Sequence, residues 1–212
     1  MEEIKPKGIT HLGFRSVLEA LEEVIGRNGL NSLLRYYKLQ EFIDNPLEYD
    51  SDKRIPNPTT TRLYMCVREL FGNNGYNTLM FKAGGLMVQN VIKHNEALRN
   101  LLAMDLDPFE KIKIAFSAYS TTAGYDPEKT MEHIQEKREI IIHRPGCLEC
   151  EELVKHQKKS YGAKNAACAL SKGVLNGVGN SFFEISASCE EIVCRISGHE
   201  ECLFRIKYEI IK

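Results

Sequence analysis

Residues 168–204 read CALSKGVLNGVGNSFFEISASCEEIVCRISGHEECLF, and a change of hydrophobic period inside this stretch decides the fold. Its first half continues a stripe of Ala167, Leu170, Val174, Val178 and Phe182, which predicts a helix from Ala163 to about Phe183. Gly173, Gly177 and Gly179 weaken that helix relative to alanine, so they predict a close approach by another backbone or a ligand. Its second half opens the segment Ile185 to Ile211, which predicts two strands turning near Ser197-Gly198-His199-Glu200.

Immediately upstream, Arg138-Glu139-Ile140-Ile141-Ile142-His143 is a β-branched run suited to a strand and closed by Pro145-Gly146. From Phe14 to about Gly124 the spacing is helical, in segments separated by breakers. Phe14, Val17, Leu18, Leu21, Val24 and Ile25 share one face of a first helix ending at Gly26 to Gly29, and Leu30, Leu33, Leu34 and Tyr37 make a short second one. Asn45-Pro46, Ile55-Pro56 and Asn57-Pro58 predict a loop over Asp44 to Pro58, because proline disfavours helix at the residue before it. Thr59-Thr60-Thr61 can cap a third helix that stops at Gly72-Asn73-Asn74-Gly75. A longer helix then runs from Leu79 toward His94, and Asp107-Pro108 starts the one carrying Ile112, Ala115, Phe116 and Tyr119. The chain reads as a single α+β domain over 1–212, mainly helical over 1–124, with strands, the glycine-rich helix and the terminal hairpin over 125–212.

Charge and composition narrow the function. With 28 basic and 29 acidic side chains the net charge is -1, which supplies no field for nucleic acid. The run Lys155-His156-Gln157-Lys158-Lys159 reads as a solvated face. No stretch approaches the roughly 18 apolar residues of a membrane span, and Met1 to Pro6 carries no secretory signal, so a cytoplasmic protein is expected. Seven cysteines in such a chain read as metal ligands, redox groups or buried apolar residues before disulfides.

Cys168, Glu191, Cys194 and Cys202 carry the most chemistry. A hairpin closing through Ser197, Gly198 and His199 sets Cys194 opposite Cys202, with Cβ atoms about 4.5 to 5.5 Å apart. Glu191 precedes Cys194 by three positions, so on a flat strand it would face the other way, and a bend must bring its oxygen round. Cys168 falls in the first turns of its helix, where the dipole and free amides favour a thiolate. Three sulfurs and one carboxylate suit a structural Zn²⁺ with no open position for water. Arg195 or Arg205 would compensate the excess negative charge. His199 suits the fourth position as well as Glu191 does, and the three cysteines also read as small buried hydrophobes.

The order of Cys168, a glycine-rich helix, Glu191-x-x-Cys194 and Gly198-x-x-x-Cys202-x-Phe204 resembles the 4-vinyl reductase domain family, also called hydrocarbon-binding domains. The helical half and Cys147-Leu148-Glu149-Cys150 are similar in order to its archaeal-type members. The resemblance implies helices packed on a twisted antiparallel sheet, as in the TRAPP subunits and the haem-based nitric-oxide sensors, often as a homodimer. It also implies zinc on Cys168, Glu191, Cys194 and Cys202, beside a pocket for a small hydrophobic or aromatic ligand. The sequence departs from the phenol-sensing members in carrying Val174 where they have an aromatic, in lacking Trp, and in having no attached ATPase or DNA-binding module. Phenol specificity is therefore not implied.

Cys147 and Cys150 read as an auxiliary metal or redox pair, or as loop thiols, and Cys66 and Cys189 as packing residues. Phe116, Tyr119, Val178 and Phe182 are candidate pocket residues, although the same spacing describes core. His94 and His133 have polar neighbours that argue against haem ligation. Gly84-Gly85 lacks the context of a phosphate loop and predicts close helix packing. Neither a nucleophile elbow nor a nucleotide fingerprint is present. The expected function is a zinc-stabilised sensor or carrier of a small hydrophobic molecule rather than an enzyme. The alternatives are a reductase or accessory protein acting on a vinyl-bearing tetrapyrrole, and a scaffold subunit without a ligand.

Overall fold

The computed structural model describes residues 8–155, 168–181 and 185–211. A two-residue strand β1 (Ile9–Thr10) pairs antiparallel with β2 (Arg54–Ile55), closing a loop below helix α1 (His11–Tyr36). Thr10 caps α1 by accepting the Gly13 amide at 2.9 Å. After the short α2 (Glu41–Asp44), the long α3 (Asn57–His94) packs along α1, followed by α4 (Glu96–Ala103) and α5 (Pro108–Thr122). Asp107 caps α5 by accepting the Phe109 amide at 2.9 Å, as the Asp-Pro signal predicts.

The glycine breakers interrupt the helices, so that α1 and α3 each consist of two helical segments joined at a kink. Gly26 in α1 and Gly72 in α3 take φ of 75° and 66°, left-handed values that only glycine adopts without strain, and the helix resumes beyond each. The axis therefore turns at the predicted places without the chain leaving the helical layer. At the start of α3 the threonines do not cap. The cap position is Pro56, and Thr60 and Thr61 instead bond back to the carbonyls of Pro56 and Asn57.

Beyond α6 (Pro127–Thr130) lie β3 (Met131–Ile134) and β4 (Glu139–Pro145), then α7 (Leu148–Lys155), α8 (Ala169–Gly179), β5 (Ile185–Val193) and β6 (Glu201–Ile210). The four longer strands form one antiparallel sheet in the order β3-β4-β6-β5. The hairpin β5–β6 turns through a 3-10 segment, Arg195–Ser197, and the left-handed Gly198. Positions 163–167 and 182–183 of the predicted glycine-rich helix lie outside the described residues, and the helix ends at Gly179, before the predicted end. β1, β2, β3, α2, α4, α6 and α7 are additions to the sequence reading, and β2 and the start of α3 fall within the stretch it predicts as a loop over Asp44 to Pro58.

Alternation along β4 and β6 builds the inner sheet face: Ile140, Ile142 and Arg144 on one strand, Cys202, Phe204, Ile206 and Tyr208 on the other. α8 lies between this face and the helical layer. It crosses α3 so closely that a Cβ on Gly173 would stand 2.1 Å from the Phe81 carbonyl oxygen, and one on Gly84 would stand 2.5 Å from that of Leu170. These glycines allow two backbones to touch, as their placement in the sequence predicts. Among the described residues no helix is long and apolar enough to cross a membrane.

Candidate metal centre and adjoining cavities

Five cysteine sulfurs meet where α7, α8 and the hairpin converge. Cys147 precedes α7, and Cys150 sits in its first turn, with its amide donating to the Cys147 carbonyl at 3.0 Å. Cys168 stands immediately before α8, Cys194 follows β5, and Cys202 lies on the inner face of β6. Sγ–Sγ separations are 3.2 Å for Cys150–Cys168, 3.5 Å for Cys150–Cys194, Cys150–Cys202 and Cys168–Cys202, and 3.8 Å for Cys194–Cys202. Cys147 lies 3.4 Å from Cys168. All five are free and buried. These distances are well beyond a disulfide bond of about 2.05 Å. They approach the edge of a tetrahedron of sulfurs around a metal, about 3.8 Å when each metal–sulfur bond is about 2.3 Å.

The four residues singled out in the sequence do come together: Cys168, Glu191, Cys194 and Cys202 have ligand atoms within 4.8 Å of one another. Cys147 and Cys150 join Cys168 and Cys202 in a second group of the same kind. Glu191 reaches the site through a register shift between Glu191 and Val193. The extra residue reverses the strand's parity and puts Glu191 and Cys194 on one side. One Glu191 oxygen accepts the Cys168 amide at 3.3 Å, and the other is buried without a hydrogen-bond partner. Burial, reinforced by Cys194, pushes its carboxyl up to about 9. His199 is exposed and belongs to neither group.

Electrostatics within the cluster are mutual. Hydrogen bonds from the neighbouring thiols, Cys150 first, hold Cys147 and Cys194 well below the usual thiol range, while Cys150 and Cys168 are pushed up by those same neighbours. The cluster thus favours thiolates at some positions and needs a proton or a cation to balance them. Arg195 pairs with Glu151 at 2.8 Å, and its backbone amide donates to Cys202 Sγ at 3.4 Å. Arg205 is turned outward toward Glu139 and Glu190, away from the sulfurs.

Two residues escaped the sequence reading. Glu149, fully buried, ties α7 to the start of α8: it accepts the Leu170 amide at 2.9 Å, the Ser171 amide at 2.8 Å, the Ser171 hydroxyl at 2.6 Å and the Tyr76 hydroxyl at 2.9 Å. Burial raises it to about 7. Arg144 is 1% exposed and is the register partner of Cys202. Its side chain could have been placed inward by extending the alternation of Ile140 and Ile142, but the following Pro-Gly reads as the strand's end.

Two small cavities, each of about 50 Å³, lie beside α8, and the second reaches the cluster at Cys147. The first lies between α3, α5 and α8 and is almost wholly apolar, with Met87, Val91, Ala115, Tyr119, Val174 and Val178 in its walls. The second shares Met87, Tyr119 and Val174 with it and continues to Tyr125, Arg144 and Cys147. Of the candidate pocket residues, Tyr119 and Val178 line the apolar cavity. Phe116 is core instead, its ring 3.7 Å from where a Gly179 Cβ would stand, and Phe182 lies outside the described residues.

No family model matches the chain, and no curated protein matches it. Solved structures do. An H-NOX protein from S. oneidensis in the Fe(II)NO ligation state aligns over 95% of this chain and 99% of its own, with a TM-score of 0.59 and 12% identity. An oxygen-binding H-NOX domain related to soluble guanylate cyclases aligns over 92% of each chain, with a TM-score of 0.55 and 13% identity. The chain has the fold of these proteins, a helical layer packed on an antiparallel sheet, which is the haem nitric-oxide-sensor architecture expected from the sequence.

The interior does not fit haem. At about 10 to 15 Å³ per water, each cavity of about 50 Å³ holds a handful of waters, far less than a macrocycle needs. None of the described histidines lines either cavity. His94 stacks on Tyr49 at 3.6 Å in a polar surface cleft, and His133 stacks on Phe109 at 3.9 Å.

Proposed function

We propose that the chain is a zinc-stapled module that binds a small molecule between its helices and its sheet and acts as a sensor or carrier. The convergence of sulfurs from α7, α8 and the hairpin carries this reading. Such a cluster pins the N-terminal end of α8 to α7 and to the hairpin, and α8 contributes Val174 to both cavities. Zinc is the metal best suited to a closed thiolate set. Cys168, Cys194 and Cys202 belong to the ligand set implied by the family resemblance, and the separations favour Cys150 over Glu191 for the fourth position, because Cys150 alone stands within 3.5 Å of all three. Glu191 would then orient Cys168 through its amide, a supporting role common around metal sites.

The site supplies structure rather than chemistry, since four protein ligands leave no coordination position for a substrate. Membership of the 4-vinyl reductase family and association as a homodimer belong to the same reading. So does the H-NOX fold, whose solved members include an oxygen-binding domain. Ligand-observed NMR with toluene tests the binding function. Saturation transfer to toluene from the wild type and its loss in Val174→Trp, which fills the shared wall, are expected; no transfer from the wild type overturns the reading.

A further inference from the structure

Arg144 is held in an unusual state. Its side chain is 1% exposed, and Nε, Nη1 and Nη2 all lack a hydrogen-bond partner. The guanidinium carbon lies 4.2 Å from the centre of the Tyr125 ring and 4.9 Å from that of Tyr119. Stacking on aromatic faces steadies the charge, but it leaves five N–H donors unsatisfied. A buried, unpaired donor is costly, and a buried ionic one more so. The Arg144 residue lines the second cavity, which shares Met87, Tyr119 and Val174 with the apolar one.

We propose that Arg144 anchors a carboxylate-binding subsite, and that the molecule held here is a small carboxylic acid with an apolar body about the size of one ring. The body would lie between α3, α5 and α8, and the carboxylate would meet the guanidinium. The inference rests on the reading that these cavities hold a small molecule, and names its class. The planar fork matches a carboxylate through two parallel hydrogen bonds, among the strongest neutralising contacts available to an arginine. A monoanion fits better than a phosphate dianion: one guanidinium balances one charge, and the carboxyl of Glu149 stands in the same wall. The sulfur cluster lies nearby, since Arg144 is the register partner of Cys202. It does not occupy the donors, because no sulfur is within hydrogen-bonding geometry of the guanidinium.

Calorimetric titration of the zinc-loaded protein with benzoate and with its neutral isostere benzamide tests the proposal. Benzoate should bind at least about tenfold more tightly, the margin expected of a charge-assisted bidentate pair. Arg144→Met should abolish that preference while leaving benzamide binding and zinc content unchanged. Arg144→Lys, which keeps the charge and protects against a failure of the methionine variant to fold, should weaken benzoate and leave benzamide alone. Equal affinities for the two compounds in the wild type overturn the carboxylate subsite while leaving the small-molecule reading intact. If neither compound binds and toluene does not either, both fail. Zinc lost from Arg144→Met together with no benzoate preference would assign the arginine to balancing the sulfurs, and would overturn the proposal.

Discussion

Cys168 and Cys202 belong to both four-ligand groups around the cluster, whereas Cys147, Cys150, Cys194 and Glu191 each belong to one. Substitution can therefore separate the assignments. Cys168→Ser and Cys150→Ser are expected to lose bound zinc, and Cys147→Ser to retain it, as read by metal content after desalting; retention by Cys150→Ser and loss by Cys147→Ser would exchange the roles of those two residues. A second residue-scale prediction concerns His133, whose Nε2 lies 3.1 Å from the Tyr208 hydroxyl. Burial first, then the charge of Lys113, lowers its tendency to protonate, against a smaller opposing pull from Glu110. The unfolded chain then binds a proton more readily than the folded one. The contribution to stability is complete above the unfolded value of about 6.5 and is lost as pH falls below it. Thermal unfolding of His133→Phe should be less sensitive than wild type to a shift from pH 7 to pH 5; equal sensitivity would contradict this. Individual sulfurs were legible from the sequence because cysteine has few roles in a reduced protein. Arg144 was not, because its placement depends on strand parity carried across a predicted turn signal.

At the scale of elements, the crossing of α3 and α8 sets the geometry of both cavities. Gly173→Ala places a methyl 2.1 Å from the Phe81 carbonyl, so the helices must part. A loss of roughly 1 to 3 kcal/mol is expected, the range for overpacking. Gly85→Ala, next to the tight Gly84, meets no atom within 4 Å and should stabilise the protein by about 0.5 to 1 kcal/mol through helix propensity alone. Chemical denaturation of the two variants checks the contrast, and similar values would show that the backbones do not touch. The helices were readable from their apolar period, and so were the interruptions at Gly26 and Gly72, read as helix ends. α7 was not, because Pro145-Gly146 and a cysteine pair resemble a loop, and its tie to α8 is made by Glu149 with residues 21 and 22 positions away in sequence. β3 was equally hidden. Met131–Ile134 is too short to show a period, and it becomes a strand by pairing with β4.

For the whole molecule, the cluster joins parts of the chain that lie far apart in the sequence. Cys147 and Cys202 are 55 positions apart in the sequence, and a shared metal would tie α7, α8 and the hairpin into one cooperative unit. A metal present at a thousand times its dissociation constant stabilises by about 4 kcal/mol, or roughly 8 to 16 °C in melting temperature for a chain of this size. Stripping zinc with a strong chelator should lower the melting temperature by that order, and restoring zinc should reverse the change. The α+β class and the helical layer on a sheet were legible in the sequence. The depth of the cavities was not, since it depends on how near the helices approach. The most direct measurement is the zinc K-edge absorption fine structure of the purified protein. A single shell of four sulfurs at about 2.3 Å is the predicted result; a shell dominated by nitrogen or oxygen, or a desalted protein with no zinc to measure, would contradict the account.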